Sequence, residues 1–509
     1  MDSPLPQQND SRRGVITLSV MLATIMQALD TTIANVALPH VQGTMGTTQE
    51  QINWVLTSYV IAAAIFTPLT GFLASRFGRK RIFIWSIIGF TLTSMLCGAA
   101  QTLEQIVLFR VLQGIFGASL VPLSQSLLLD TYPREKHGSA MAMWGVGVMV
   151  GPILGPTLGG WLTEYYSWRW VFYINLPFGV LAWLGMATSV KETIMDTSRK
   201  FDLLGFSLLA LAIGAFQLML DRGESLDWFA SREILMEAFL AGLCLYLFIV
   251  HTWTHQDPFI NPKLFKDRNF CVGLFFIFLV GIVLLATMAL LPPFMQNLMG
   301  YPVLDVGYVL APRGLGTMLA MLLVGRLIAR VDPRLLLVAG LLLTGLSLWD
   351  MTLFTTETST SELIRSGVIQ GFGLGLIFTP LTTISFSTLA PAFRNDGTAL
   401  YSLLRNVGSG IGISIVITYL GHRTQINHEV FSSYLTPFSQ PLQQAVQAGA
   451  YNLNTPAGLM TLDRDVTRQA STLAYLQDFR LMMFITLAAI PMTLFLRAGR
   501  RSKPELVMD

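Results

Sequence analysis

The sequence predicts an all-α polytopic membrane protein with fourteen spanning helices, arranged as two related bundles of six with two further spans between them. Three observations predict it. Only 12% of the 509 residues are charged while 52% are hydrophobic, and mean hydropathy is +0.56; a soluble chain carries about a quarter charged residues. Apolar runs of bilayer-crossing length recur from end to end. Finally, three sequence blocks in the first half reappear in the same order in the second.

The runs fall at 15–38, 51–74, 82–100, 104–128, 138–162, 169–189, 202–220, 234–254, 270–293, 305–329, 334–354, 362–386, 397–420 and 478–497. The lysines and arginines check this count. They collect in alternate connections: Arg12 and Arg13, then Arg76 to Arg81, Arg134 and Lys136, Lys191 to Lys200, Lys263 to Arg268, Arg330 and Arg334, Arg394, and finally Arg500 to Lys503. The intervening connections near 40–50, 101–103, 294–304 and 355–361 hold none. Positive loops face the cytoplasm, so both termini are expected there and the span number must be even. The segments are therefore a cytoplasmic N-terminal tail 1–14, a first bundle 15–190, linking spans with their loops 191–269, a second bundle 270–497 and a cytoplasmic C-terminal tail 498–509. The start, MDSPLPQQNDSRRG, leads into a long span with no small-residue cleavage site, so no removed signal peptide is expected.

Residues 421–477 form an external polar segment rich in Gln, Ser and Thr. Its second part, TLDRDVTRQASTLAYLQDF, reads as helix that extends the last span outward. It is either a solvated loop or a surface for another protein. Cys97, Cys244 and Cys271 lie in apolar runs without metal-ligand spacing and read as small hydrophobes. The net charge of +3 is spread over the loops, so no nucleic-acid partner is expected.

The repeat is specific. GFLASRFGRKR from Gly71 returns as GRLIARVDPRL from Gly325, VLQGIFGASLVPLSQS from Val111 as VIQGFGLGLIFTPLTTIS from Val368, and GSAMAMWGVGVMVG from Gly138 as GTALYSLLRNVGSG from Gly397, with offsets drifting only from 254 to 259. Parallel repeats about an axis along the membrane normal mark a large class of secondary transporters that bind substrate between the halves.

Several of these blocks resemble motifs of the major facilitator superfamily, and within it those of the fourteen-span EmrB/QacA-type drug:proton antiporters, on the EmrB side. GFLASRFGRKR is similar to the family's loop motif after the second span, with Gly71, Arg76, Gly78, Arg79 and Lys80 in place and Ser75 where an acidic residue usually stands. LDTTIANVALP at 29–39, FRVLQGIFGAS at 109–119, WRWVFYINLPFG at 168–179 and LDRGESLDWF at 220–229 extend the resemblance along the chain. GVMVGPILGPTLGG at 147–160 resembles the fifth-span antiporter motif, the most specific of the set.

Asp30 lies well inside the first span. A carboxylate at bilayer depth is costly and a functional site by default, so Asp30 is the expected proton-coupling group. Arg110, near the start of the fourth span, is its natural partner, because a guanidinium stays charged and must meet a carboxylate, a carbonyl or water; the resemblance places Arg110 in the family's proton-relay region. Gln27, Asp30, Thr31 and Ala34 share a helical face expected to line a cavity, with Gln113 and Arg405 as further lining groups. The second-half counterpart of Arg110 is Gly367, so the duplication is not expected to keep this charge.

Gly147, Gly151, Gly155 and Gly159 recur every turn, with Pro152 and Pro156 among them. Small residues let helices approach closely in lipid, and the expected partner is a helix of the other half, against which the fifth span rocks. Gly71, Arg76, Gly78 and Arg79 form the expected cytoplasmic gating loop. His251 and His255 stand four apart but lack the glutamate of a zinc protease helix, so no metal site is expected. No phosphate-cradling loop is present and no cofactor is expected. The Met and Phe content suits a permissive cavity.

Together these readings imply an exporter in the bacterial inner membrane, not an enzyme, exchanging inward protons for lipophilic small molecules. The resemblance implies a periplasmic adaptor (EmrA-like) and a TolC-type outer-membrane channel as partners. The alternatives are a dedicated metabolite, siderophore or lipid exporter on the same scaffold, and a membrane-embedded receptor or enzyme. The last requires a converging cluster of reactive side chains that the sequence does not offer.

Overall fold

The structure, a computed structural model, describes residues 10–190, 192, 195, 200–328, 330–436 and 438–496. Both expected cytoplasmic tails lie largely outside these residues, as does the Pro156 side chain. Among the described residues thirteen helices are long and apolar enough to cross a membrane, and one bent pair brings the spans to fourteen.

Span 1 is Asp10–Met45. Span 2 consists of Gln49–Phe66 and Leu69–Phe77, bent by 55° beside Pro68, whose ring and missing N–H interrupt the helical ladder. Span 3 is Arg79–Ala99 and span 4 joins Leu103–Gly117 to Leu120–Thr131. Span 5 is His137–Tyr165, and span 6 joins Trp170–Tyr173 to Asn175–Ser189. The linking spans 7 and 8 are Leu203–Arg222 and Arg232–Thr254. Span 9 is Arg268–Pro293 continued by a π turn, Phe294–Leu298; span 10 is Val303–Leu327, span 11 Pro333–Met351 and span 12 Thr360–Ser387. Span 13 is Arg394–Tyr434 and span 14 is Pro456–Ala488.

Spans 1–6 pack among themselves, as do spans 9–14. The bundles meet through spans 5 and 10, and through the end of span 2 and the end of span 4 against span 13. Span 7 lies across the seam. Thr57 of span 2 donates to Asp221 Oδ2 at 2.6 Å, Ser414 of span 13 donates to the Leu220 carbonyl at 3.3 Å, and Trp228 Nε1 donates to Thr418 Oγ1 at 3.0 Å. Span 7 and the turn after it thus touch both halves rather than merely separating them. His251 of span 8 meets Asp202 at 2.9 Å, and the same carboxylate accepts the Gly205 and Phe259 amides, which fixes span 8 to the start of span 7.

The segment 421–477 departs from a solvated loop more than the sequence indicates. Its second part is helix as expected, but the first part is helix too. Span 13 has 41 residues, about 60 Å of helix, against about 30 Å of hydrocarbon. The two projecting ends hold one another: Asn427 Nδ2 donates to the Ala470 carbonyl at 3.1 Å and His428 meets Asp463 at 3.0 Å. Both regions are polar enough to be hydrated and regular enough to continue their spans.

Candidate functional site: a carboxylate cage in the first bundle

Asp30 is fully enclosed. Its Oδ2 accepts from Arg110 Nη1 at 2.7 Å, and its Oδ1 accepts from Gln113 Nε2 at 2.8 Å and Asn175 Nδ2 at 3.0 Å. Three donors from spans 4 and 6 therefore converge on one carboxylate of span 1. Burial of an ion is tolerable only when it is paired and its lone pairs are satisfied, and here both conditions hold.

Each donor is itself positioned. Arg110 Nε donates to the Val55 carbonyl of span 2 at 2.9 Å, Nη1 also reaches Gln113 Oε1 at 2.8 Å, and the guanidinium lies 4.3 Å above the Tyr59 ring. Asn175 Nδ2 also reaches Ser94 Oγ of span 3 at 2.9 Å, and Ser94 donates to the Phe172 carbonyl at 2.8 Å. Spans 1, 2, 3, 4 and 6 are thereby joined through a single ionisable group. The Asp30 charge is what draws the donors of spans 4 and 6 to span 1.

A second polar cluster closes the face that bears the basic loops. Asp130 at the end of span 4 pairs with Arg79 at the start of span 3 and with Arg394 at the start of span 13, tying the halves together. Asn395 Nδ2 donates to Ser75 Oγ at 3.4 Å. Gly71 lies so close to Asp396 that a side chain there would collide with it. Gly78 has φ +91°, a backbone geometry that favours glycine, and Glu192 accepts the Lys80 and Arg81 amides at 3.1 and 3.2 Å. Arg76 occupies the last turn of span 2. Where the sequence has Ser75 in place of an acidic residue, Asp130 provides the anion of the clasp.

The Major Facilitator Superfamily model matches residues 20–413. The chain belongs to that superfamily. Among its relatives, the fatty acid resistance protein FarB of Neisseria gonorrhoeae is 37% identical over 478 residues, covering 94% of each chain. The multidrug export protein EmrB of Escherichia coli K12 is 37% identical over 431 residues, 84% of each. The probable multidrug resistance protein EmrY of the same organism is 33% identical over 480 residues, 93% of this chain and 94% of that one. The human organic anion transporter MFSD10 (TETRAN) shares the fold, with a TM-score of 0.58 over 94% of this chain and 100% of that one at 14% identity.

Within this superfamily member, the structure brings together Asp30, Arg110 and Gln113 as the sequence indicates. Gln27 stands one turn away, its Nε2 donating to Tyr59 OH at 3.4 Å, whereas Thr31 turns its hydroxyl onto the Ala28 carbonyl at 2.9 Å. Gln27 and Asp30 thus meet the same group, since the Tyr59 ring whose hydroxyl accepts from Gln27 also underlies Arg110, while Asp30 is the more deeply enclosed of the two. Arg405 is half-buried on span 13, far from this group in the other bundle. The glycine row requires a correction. Gly151, Gly155 and Gly159 face Ala28, Thr32 and Ile33 of span 1, in the same bundle and not the other. Thr32 Oγ1 donates to the Gly151 carbonyl at 3.0 Å across that contact. Span 5 meets span 10 of the second half through a different face, with Gly145 against Met321 and Gly138 against Ile328. The stripe thus presses span 5 onto the helix that carries Asp30.

Asn175, Ser94, Tyr59, Asp130 and Arg394 escaped the sequence reading of the sites. Asn175 lies in the quoted WRWVFYINLPFG stretch, the one signal that pointed near it.

Proposed function

We propose that this protein is a proton-coupled efflux antiporter for hydrophobic or amphipathic compounds, seated in the bacterial inner membrane with both termini in the cytoplasm. The observation that carries the reading is the Asp30 carboxylate, enclosed in one bundle and held by donors from spans 4 and 6. A proton arriving from outside neutralises Asp30, frees Arg110 and loosens the cage. Because the glycine stripe seats span 5 on span 1, that loosening reaches the helix that meets span 10. Loss of the proton to the cytoplasm restores the cage and the substrate-binding state. The clasp at Asp130 belongs to the conformation closed on the cytoplasmic side. Export of lipophilic compounds is supported by the relatives, two bearing multidrug names and one a fatty-acid resistance name.

The protein works as the inner-membrane part of a tripartite pump, with a periplasmic adaptor and an outer-membrane channel. The projecting helical ends of spans 13 and 14 give such an adaptor a firm surface on the periplasmic side. The deciding experiment is substrate-driven proton release from inverted vesicles. Asp30→Asn is expected to abolish release while keeping substrate binding; unchanged proton release in that variant overturns the assignment.

A further inference from the structure

The second bundle holds a cation that the first would have neutralised. Arg313 of span 10 is 7% exposed, and its Nη2 is buried without a hydrogen-bond partner. Among the described residues no ion pair involves it. Asp478 of span 14, a buried carboxylate of the same half, is likewise without a partner and does not meet it. An intramembrane charge left in this way is costly, and such residues mark ligand pathways.

The repeat explains how Arg313 comes to be there. Arg110 and Gly367 correspond at an offset of 257 residues, and Tyr59 and Arg313 at 254, both within the drift of the duplication. In the first half Arg110 reaches from span 4 over the Tyr59 ring of span 2. In the second, Gly367 gives up that side chain and lies 3.6 Å from the Arg313 Cβ, measured from where its own Cβ would be. The cation has changed helices. The expectation that the duplication lost it therefore needs amending. Its acid, however, has gone: Gln370 Nε2 meets Thr287 Oγ1 at 3.3 Å, matching the contact of Gln113 Nε2 with Asp30. Thr287 thus stands in place of the carboxylate.

The turns of span 10 that follow Arg313 border the space between the bundles. Thr317 and Met321 follow it at one-turn intervals on the same face and line a narrow apolar cleft with Met149, Leu284, Leu374 and Phe378. Trp144 stacks on Phe378 at 5.8 Å. Arg405, half-buried on span 13, adds a second cation for which the described residues show no ion pair.

We propose that Arg313 is the counter-charge for the anionic head of an amphipathic substrate whose apolar part occupies the adjoining cleft. The proposal rests on the export reading and specifies its substrate class. A compensated pair such as Asp30–Arg110 has no free charge to offer a ligand; an uncompensated guanidinium near an apolar cleft selects an anion, since a neutral or cationic head leaves it unpaired.

The test uses the full chain in nanodiscs and three probes of equal length: decanesulfonate, decanamide and decyltrimethylammonium. Wild type is expected to bind the sulfonate about tenfold more tightly than the amide, and the ammonium most weakly. Arg313→Gln should bring the sulfonate down to the amide while leaving the amide within about twofold, and Arg313→Lys should restore part of the preference. The assignment is overturned if wild type shows no charge preference, if Arg313→Gln keeps it, or if both variants weaken all three probes alike. Proton-driven transport of a neutral substrate, measured in vesicles of the same proteins, separates the two claims. Transport that persists while selectivity is unaltered by Arg313→Gln defeats this inference alone; absence of transport in wild type defeats the export reading.

Discussion

Asp130→Asn is the most direct probe of the clasp. Asp130 is the common anion for Arg79 and Arg394, whose side chains are 13% and 10% exposed, and is itself 28% exposed. Hydrogen bonds to charged groups contribute about 1.5–3 kcal/mol each, and partial hydration of Asp130 lowers that figure. Asparagine keeps one carbonyl acceptor but no charge, leaving two guanidinium groups face to face. The net loss is about 2 kcal/mol, or about a thirtyfold shift from the closed toward the open arrangement of this face. Spin labels at Phe77 and Leu335, exposed at the ends of span 2 and span 11, report that distance by electron-electron double resonance. A longer-distance population should grow in Asp130→Asn. Adding Arg394→Gln should change little further, because its anion has already been removed. Superimposable distances in wild type and Asp130→Asn, or an equally large further opening on adding Arg394→Gln, would refute the reasoning.

Two other substitutions test the cage and the stripe. Asn175→Leu removes one donor from Asp30 and one from Ser94; coupled proton flux should fall about tenfold, for a loss of about 1.5 kcal/mol, with substrate binding unchanged in a direct titration. Gly155→Leu drives a side chain into Thr32 and should cost about 1–3 kcal/mol by overpacking, whereas Gly147→Ala, whose Cβ would meet Met21 at 3.7 Å, should leave the thermal midpoint in detergent nearly unaltered.

The fourteen spans were legible because the bilayer imposes a length and excludes charge, and each expected run falls, within the described residues, on an observed helix or bent pair. Asp30 and Arg110 were legible for the same reason: a charge in an apolar run is conspicuous wherever its partner lies. Asn175 and Ser94 were not, since neutral polar residues are common in spans and only their meeting at one carboxylate gives them a role. Glycine spacing reveals how closely a helix can be approached but not by which neighbour, so the stripe was read correctly as a contact and assigned to the wrong bundle. The clasp shows the same limit. Its loop was visible in GFLASRFGRKR, but the anion that holds it arrives from span 4, more than fifty positions later.

Arg313 completes the contrast between the halves and permits a prediction from stability rather than transport. In the first bundle every donor around Asp30 has an acceptor, so deleting Arg110 strands a buried carboxylate and should cost several kcal/mol. In the second bundle, among the described residues, no carboxylate pairs with Arg313, so its removal strands none. Replacing a buried charge by an apolar side chain of similar volume stabilises a protein when that charge has no partner; Arg313→Met should therefore raise the thermal midpoint in detergent, with a gain of about 1–3 kcal/mol, while abolishing preference for the anionic probe. Adding decanesulfonate should raise the wild-type midpoint and leave that of Arg313→Met unchanged, since a ligand stabilises only the state it binds. A lower midpoint in Arg313→Met would mean that the guanidinium supports the fold and that its charge is compensated within the protein. With the opposite result, the two halves differ in kind, one enclosing its charged pair in a satisfied cage and the other presenting an open charge to a ligand.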